Sequence, residues 1–165
     1  MYAGISIVGN IVLFATSSVA GVLVASVNSG IAHIYNVRKL LVSFGLLVFM
    51  GSFVTALFSV APTFFVTLLL GQRYSVYAYL LPKVALTMLF LSVANLFFAY
   101  HIALRDIYIV FVALASITIM ITSVVVGHGN LTQMINSILY SSVIVVLINI
   151  VRTTWWNVRK LKAAT

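Results

Sequence analysis

The sequence predicts an all-α integral membrane protein, an up-down bundle of about five transmembrane helices, on three observations. Of its 165 residues 64% are hydrophobic and only 6% charged, whereas a soluble domain devotes about a quarter of its residues to charges. The apolar residues fall into about five runs of roughly the 20 residues needed to cross a bilayer. The Lys and Arg residues gather between those runs, where membrane proteins keep cations mainly on the cytoplasmic side.

The first span covers about 2–27. It lacks a basic leading region and is too long for the apolar stretch of a secretory signal. A polar connection from Asn28 through His33 and Asn36 to Arg38-Lys39 follows. The second span, about 40–60, stops at Ala61-Pro62-Thr63, because proline ends a helix at the preceding residue. Residues 64–70 are too few to cross and read as an interfacial or re-entrant turn of helix, closed by Gly71-Gln72-Arg73-Tyr74. The third span covers about 75–103, with Pro82 and Lys83 inside it. A tight Leu104-Arg105-Asp106 turn leads to the fourth, about 107–126, and Gly127-His128-Gly129-Asn130 is a glycine-rich turn of the kind that joins antiparallel helices. The fifth covers about 134–151, and a basic cytoplasmic tail, 152–165, carries Trp155-Trp156 as an interfacial anchor.

Counting cations by connection gives the orientation. Arg38, Lys39, Arg105, Arg152, Arg159, Lys160 and Lys162 fall on one side, Arg73 alone on the other, and Lys83 within a span. The positive-inside rule then places the C-terminus in the cytoplasm and the N-terminus outside a cell membrane. A bundle of odd span number that begins outside, with no leading cation, is expected as the C-terminal piece of a longer transporter.

Composition also excludes chemistry. With no cysteine, disulfides, thiolate metal sites and Cys nucleophiles are excluded. With Asp106 as the one acid, paired-carboxylate catalysis is excluded too. The net charge of +8 reads as membrane-flanking charge drawn to anionic lipids, and not as a nucleic-acid face. His33 and His101 fall toward one side and His128 toward the other, so they share no metal. His101 beside Tyr100 reads as an interfacial residue and Asp106 as the partner of adjacent Arg105, which leaves no Ser-His-Asp constellation. No enzymatic activity, cofactor or metal is expected.

Lys83 is the most informative residue, and two readings of it stay open. It lies about two turns, roughly 10–12 Å, inside its span. A lysine at a span centre costs about 2.5–3.5 kcal/mol, so it either faces a cavity or partner or snorkels to the interface. Pro82 beside it frees a backbone carbonyl and allows a bend. Ser6, Asn10, Ser17, Gly21 and Asn28 lie near one face of the first helix. In the third, Lys83, Thr87 and His101 share a face, with Ser92 and Asn95 on another; in the fifth, Gln133, Ser137, Tyr140 and Ser141 cluster. Such stripes either pack helices closely or line a hydrated cavity.

Taken in order, these stretches resemble the C-terminal half of the polysaccharide-biosynthesis flippases of the multidrug/oligosaccharidyl-lipid/polysaccharide exporter superfamily. Residues 5–27 look like that family's eighth helix, and Leu70-Gly71-Gln72-Arg73-Tyr74 is similar to its leucine-phenylalanine-glycine-x-x-tyrosine segment, with Leu70 for the phenylalanine. Leu80-Leu81-Pro82, the run 91–96 and His101-Ile102-Ala103-Leu104 look like its tenth helix and the turn after it. The resemblance implies the C-terminal bundle of a twelve-helix flippase that moves polyprenyl-pyrophosphate-linked oligosaccharide outward. Its expected partners are membrane lipids, that lipid-linked oligosaccharide and the N-terminal bundle absent here; nucleic acid is not among them. The expected binding residues are Lys83 against pyrophosphate, Arg73 at the outer mouth, and Thr87, Asn10 and Asn95 in the cleft. A coupling carboxylate would belong to the absent half. The alternatives are a non-transporting membrane scaffold or assembly subunit, a drug or lipid exporter of the same superfamily, and a membrane enzyme acting on lipid-linked sugars, which the dearth of acids disfavours.

Overall fold

A computed structural model describes residues 2–27, 33–127 and 129–162, with side chains for 7–27, 34–127 and 129–160. Among the described residues the chain is helical with no strand. The helices are α1 (Tyr2–Ser26), α2 (His33–Val60), α3 (Pro62–Leu70), a 3₁₀ helix (Gln72–Leu80), α4 (Leu81–Ala103), α5 (Ile109–Val126) and α6 (Leu131–Lys162). Five stretches are long and apolar enough to cross a membrane: Ile7–Ser26, Ile34–Val60, Gln72–Ala103, Ile109–Val126 and Leu131–Lys160. The chain is thus compatible with a multi-pass membrane protein. Helix suits that setting because lipid offers no partner to backbone N–H and C=O groups.

Side-chain pairs give the helix directions. Tyr79–Thr132, Lys83–Asn136 and His101–Thr153 keep a nearly constant offset, so α6 runs parallel to α4. Gly9 against Val84 and Thr16 against Ser92 make α1 parallel to α4 as well. Gly51 meets Leu89 and Phe44 meets Phe97, so α2 is antiparallel. Ser123 bonded to Ser141 and Gly127 against Ser137 make α5 antiparallel to α6. The five long helices therefore alternate in direction, as an up-down bundle requires.

The core is organised around α4, which packs against α1, α2 and α6. Leu81, Val84, Ala85, Met88, Leu89, Val93, Leu96 and Phe97 are buried along it, whereas α5 buries only Ile109 and Ser116. Between helices in lipid the hydrophobic effect is weak, and association relies on close packing and polar bonds. Both are present. The Thr16 hydroxyl donates to Ser92 Oγ at 2.7 Å, and Ser92 donates on to the Met88 carbonyl at 2.8 Å. Each interhelical bond of this kind is worth about 0.6 kcal/mol, up to about 2. Ser123 and Ser141 form a similar bond at 3.1 Å. For these serines the packing reading of the polar stripes holds.

Several expected boundaries shift. The second helix begins at His33, so Arg38 and Lys39 are helical, and Lys39 donates to the Ser26 carbonyl at the end of α1. That bond satisfies one of the carbonyls a helix end leaves open. The third span is divided: Pro82 stands in the first turn of α4, after the 3₁₀ helix, where a proline removes no intrahelical bond. It therefore makes no mid-helix bend beside Lys83. The basic tail is no separate segment, since α6 continues through Lys162. Trp155–Arg159 and Trp156–Lys160, each four residues apart, stack cation on ring along that extension. Ser29, Asn28 and His128 lie outside the described residues, as does the Ser6 side chain.

Two expectations follow. A Cβ at Gly9 would stand 2.5 Å from Cγ1 of stiff Val84, whereas at Gly51 it would meet the movable tip of Leu89. In detergent unfolding Gly9→Ala should destabilise by about 1–3 kcal/mol, and Gly51→Ala should be neutral or stabilising by up to about 1 kcal/mol. Cysteines introduced singly into this cysteine-free chain should map its ends: Arg38→Cys and Lys160→Cys should label from one side and Gly129→Cys from the other. Labelling of all three from one side would overturn the alternation.

Candidate functional site

The end of the bundle where α1, α4 and α6 finish holds Arg38, Lys39, Arg105, Arg152, Arg159 and Lys160; Arg73 stands at the opposite end. At that basic end the C-terminus of α4 is built by a Schellman motif. The Arg105 N–H donates to the Ile102 carbonyl and the Asp106 N–H to the His101 carbonyl, both at 3.0 Å. The motif needs a left-handed residue, a position glycine fills most cheaply. Here it is Arg105, with φ 56°, the one non-glycine positive φ among the described residues.

The motif delivers Asp106 beneath α6. Its Oδ2 accepts from Arg152 Nη2 at 2.9 Å and from His101 Nδ1 at 3.0 Å, and its Oδ1 accepts from the Tyr108 N–H at 3.1 Å. On the far side of the His101 ring, Nε2 lies 3.0 Å from the Thr153 hydroxyl. Because a carboxylate only accepts, Nδ1 carries the proton, and in the neutral ring Nε2 accepts from Thr153. His101, Thr153 and the side chain of Asp106 are buried, and Tyr100 and Trp156 close edge-on around the imidazole at ring distances of 5.6 Å.

Two sequence expectations are corrected by this geometry. Asp106 does not pair with Arg105; a left-handed Arg105 turns away, and Asp106 neutralises Arg152, 46 positions on. The expectation that no hydroxyl–His–Asp constellation forms is the second, for His101 is fully buried with a partner on each ring nitrogen. A hydroxyl–imidazole–carboxylate line exists after all, formed by Thr153, His101 and Asp106, in the bond order of a hydrolase triad. Its hydroxyl is sealed in the α4–α6 contact, so the line acts as a latch tying the α4–α5 turn to α6. The signal available in the sequence was the lone acid: a buried carboxylate needs a cation, and Arg152 follows the last span at the same end.

Over the latch opens a groove of about 740 Å³, lined by Arg105, Asp106, Tyr108, Arg152, Trp155 and Lys160 among others. Arg152 lies 5.7 Å from the Tyr108 ring centre and 5.6 Å from that of Trp155, and the Arg159 guanidinium stacks on Trp155 at 3.6 Å. Four cations against one acid, with Arg159 counted among the lining residues, give the groove a surplus of positive charge.

The expected binding residues do not converge. Lys83 is half-buried and donates to Asn136 Oδ1 of α6 at 3.0 Å. Thr87 is buried, its hydroxyl bonded back to the Lys83 carbonyl at 2.8 Å. Arg73 is exposed on the 3₁₀ helix, Asn10 half-buried on α1, and Asn95 exposed on α4, about a third of a turn from Lys83. The described residues contain no group of three or more His, Asp or Glu side chains able to hold a metal.

No protein-family model matches the chain, and no curated protein or solved structure is significantly similar to it.

The latch sets stability. Asp106→Ala leaves a cation and an imidazole without their acceptor and should destabilise by about 3–5 kcal/mol in thermal unfolding. Arg105→Gly should stabilise by about 1 kcal/mol, by relieving the left-handed strain.

Proposed function

We propose that this chain is the C-terminal bundle of a flippase that carries polyprenyl-pyrophosphate-linked oligosaccharide outward across the cell membrane, with the N-terminus outside and the C-terminus in the cytoplasm. The reading rests on the ordered sequence resemblance, and the observation that carries it furthest is Asn95. Within α4, the most enclosed helix, only Asn95 and Ile102 are exposed. They lie on one strip, seven residues apart, and the Asn95 side chain makes no hydrogen bond among the described residues. An amide turned outward at membrane depth is costly in hydrocarbon and calls for a polar partner or a hydrated cleft. A cleft between this bundle and a second one supplies both. Lys83 approaches it from the seam with α6 and would exchange Asn136 for a phosphate oxygen, and Arg73 meets the sugar-bearing head at the outer mouth.

A second reading, a non-transporting scaffold or assembly subunit, is favoured by the closed interior. The gap that Val84, Thr87, Met88, Ile135 and Ile138 leave between α4 and α6 is about 10 Å³, room for a single water at most and far too little for a head group.

Substitution in the cells that make the protein separates the two. Under the transport reading Lys83→Gln should lower export of the lipid-linked oligosaccharide roughly tenfold or more, as loss of a charged hydrogen bond does, while Lys83→Arg keeps part of it. Asn95→Leu, harmless to a surface facing lipid, should also impair export. Normal surface polysaccharide in both Lys83→Gln and Asn95→Leu, at normal protein level, would reject transport and leave the scaffold.

A further inference from the structure

We propose that the groove at the α4–α5 turn is a binding site for the head group of an anionic phospholipid. This goes beyond the transport reading and needs only that the chain lie in a bilayer.

The charges come first. Arg105, Arg152, Arg159 and Lys160 line the groove with Asp106 as the one acid, and Asp106 is already engaged by Arg152 and His101. The surplus is positive, and the guanidinium groups are shaped for the paired oxygens of a phosphate. A zwitterionic head also offers phosphate, but its ammonium is repelled by the same cations.

The walls come second. Ile107, Tyr108 and Trp155 stand exposed around the cations. Tryptophan and tyrosine favour the head-group level of a bilayer, and an apolar wall next to cations fits an amphiphile better than a free ion. The groove is a built feature, since the latch beneath fixes Arg152 on one side and the Schellman motif fixes Arg105 on the other. Arg105 holds a strained backbone where glycine would be cheaper, and such strain concentrates at ligand sites.

The chain offers its own probe, because its two tryptophans, Trp155 and Trp156, both line the groove. Tryptophan-selective fluorescence in phosphatidylcholine bilayers would be compared between a small fixed fraction of brominated phosphatidylglycerol and the same fraction of brominated phosphatidylcholine with unlabelled phosphatidylglycerol. Phosphatidylglycerol should be enriched at the tryptophans on the order of tenfold, a factor that a few uncompensated cations supply. Arg105→Gln should remove most of that preference. Arg38→Gln, which deletes an equal charge at the same end but outside the groove, should leave it. The preference should survive high salt, which shortens the screening length to about 3 Å at 1 M and abolishes diffuse attraction. Equal quenching by the two brominated lipids would overturn the site, as would equal losses in Arg105→Gln and Arg38→Gln. Relief of quenching by millimolar inorganic phosphate would assign the groove to a soluble anion and overturn the lipid.

Discussion

The bundle depends on α4 being enclosed by the other helices. A soluble core assembles by expelling water, but in a bilayer, the setting with which the five long apolar helices are compatible, the alternative to burial is acyl chain, as apolar as leucine. Enclosure must come from fit and from polar bonds. At Gly9 the missing side chain lets α1 approach stiff Val84, while at Gly51 the movable tip of Leu89 fills the space beside α2. Thr16 and Ser92 then sit close enough to bond. On the third side the contact with α6 is polar at both ends, with Lys83–Asn136 near one and His101–Thr153 near the other. Two bonds so far apart along a parallel pair fix the register of α6 against α4, since a one-residue slip would break both. The remaining helix, α5, is held mainly by α6 and is mostly exposed.

The helix content was legible in the sequence because the constraint that writes it is crude: a bilayer requires about twenty apolar residues in a row, and each interruption shows. The short α3 and its proline start were legible for the same reason. Helix ends were less so. Hydropathy falls where lipid ends, yet α2 and α6 continue beyond that limit. Lys39 capping Ser26 and the stacks on Trp155 and Trp156 prolong helix into a polar setting. The cation count, by contrast, depends only on which connection a residue occupies, and alternating helix directions gather those same residues at one end.

The site was less legible, for a different physical reason. Adjacency in sequence put Arg105 beside Asp106, but a helix ending in a left-handed residue reverses the chain, so neighbours in sequence diverge in space. Lone His101 looked interfacial because nothing local offered it a partner. Its partners lie at two distances, Asp106 through the turn and Thr153 across the helix pair. Only the parallel packing of α4 and α6 connects them.

That packing also explains why the cations belong where they are. In parallel helices the carbonyl-rich ends fall together, each equivalent to roughly half a negative charge. At this end of the bundle α1 and α4 both terminate. Lys39 answers the first by reaching the Ser26 carbonyl, although its own helix begins there and its dipole would favour an acid. Arg105 stands just past the end of the second. Asp106 is the exception, a carboxylate at the wrong pole of α4, and it persists because Arg152, His101 and the Tyr108 N–H, at the start of α5, all bond to it. With the one acid consumed by the latch, the rest of the positive charge at this end meets ring faces and a helix carbonyl but no second carboxylate side chain. Such charge is tolerable only next to water or anions, and a bilayer surface supplies both.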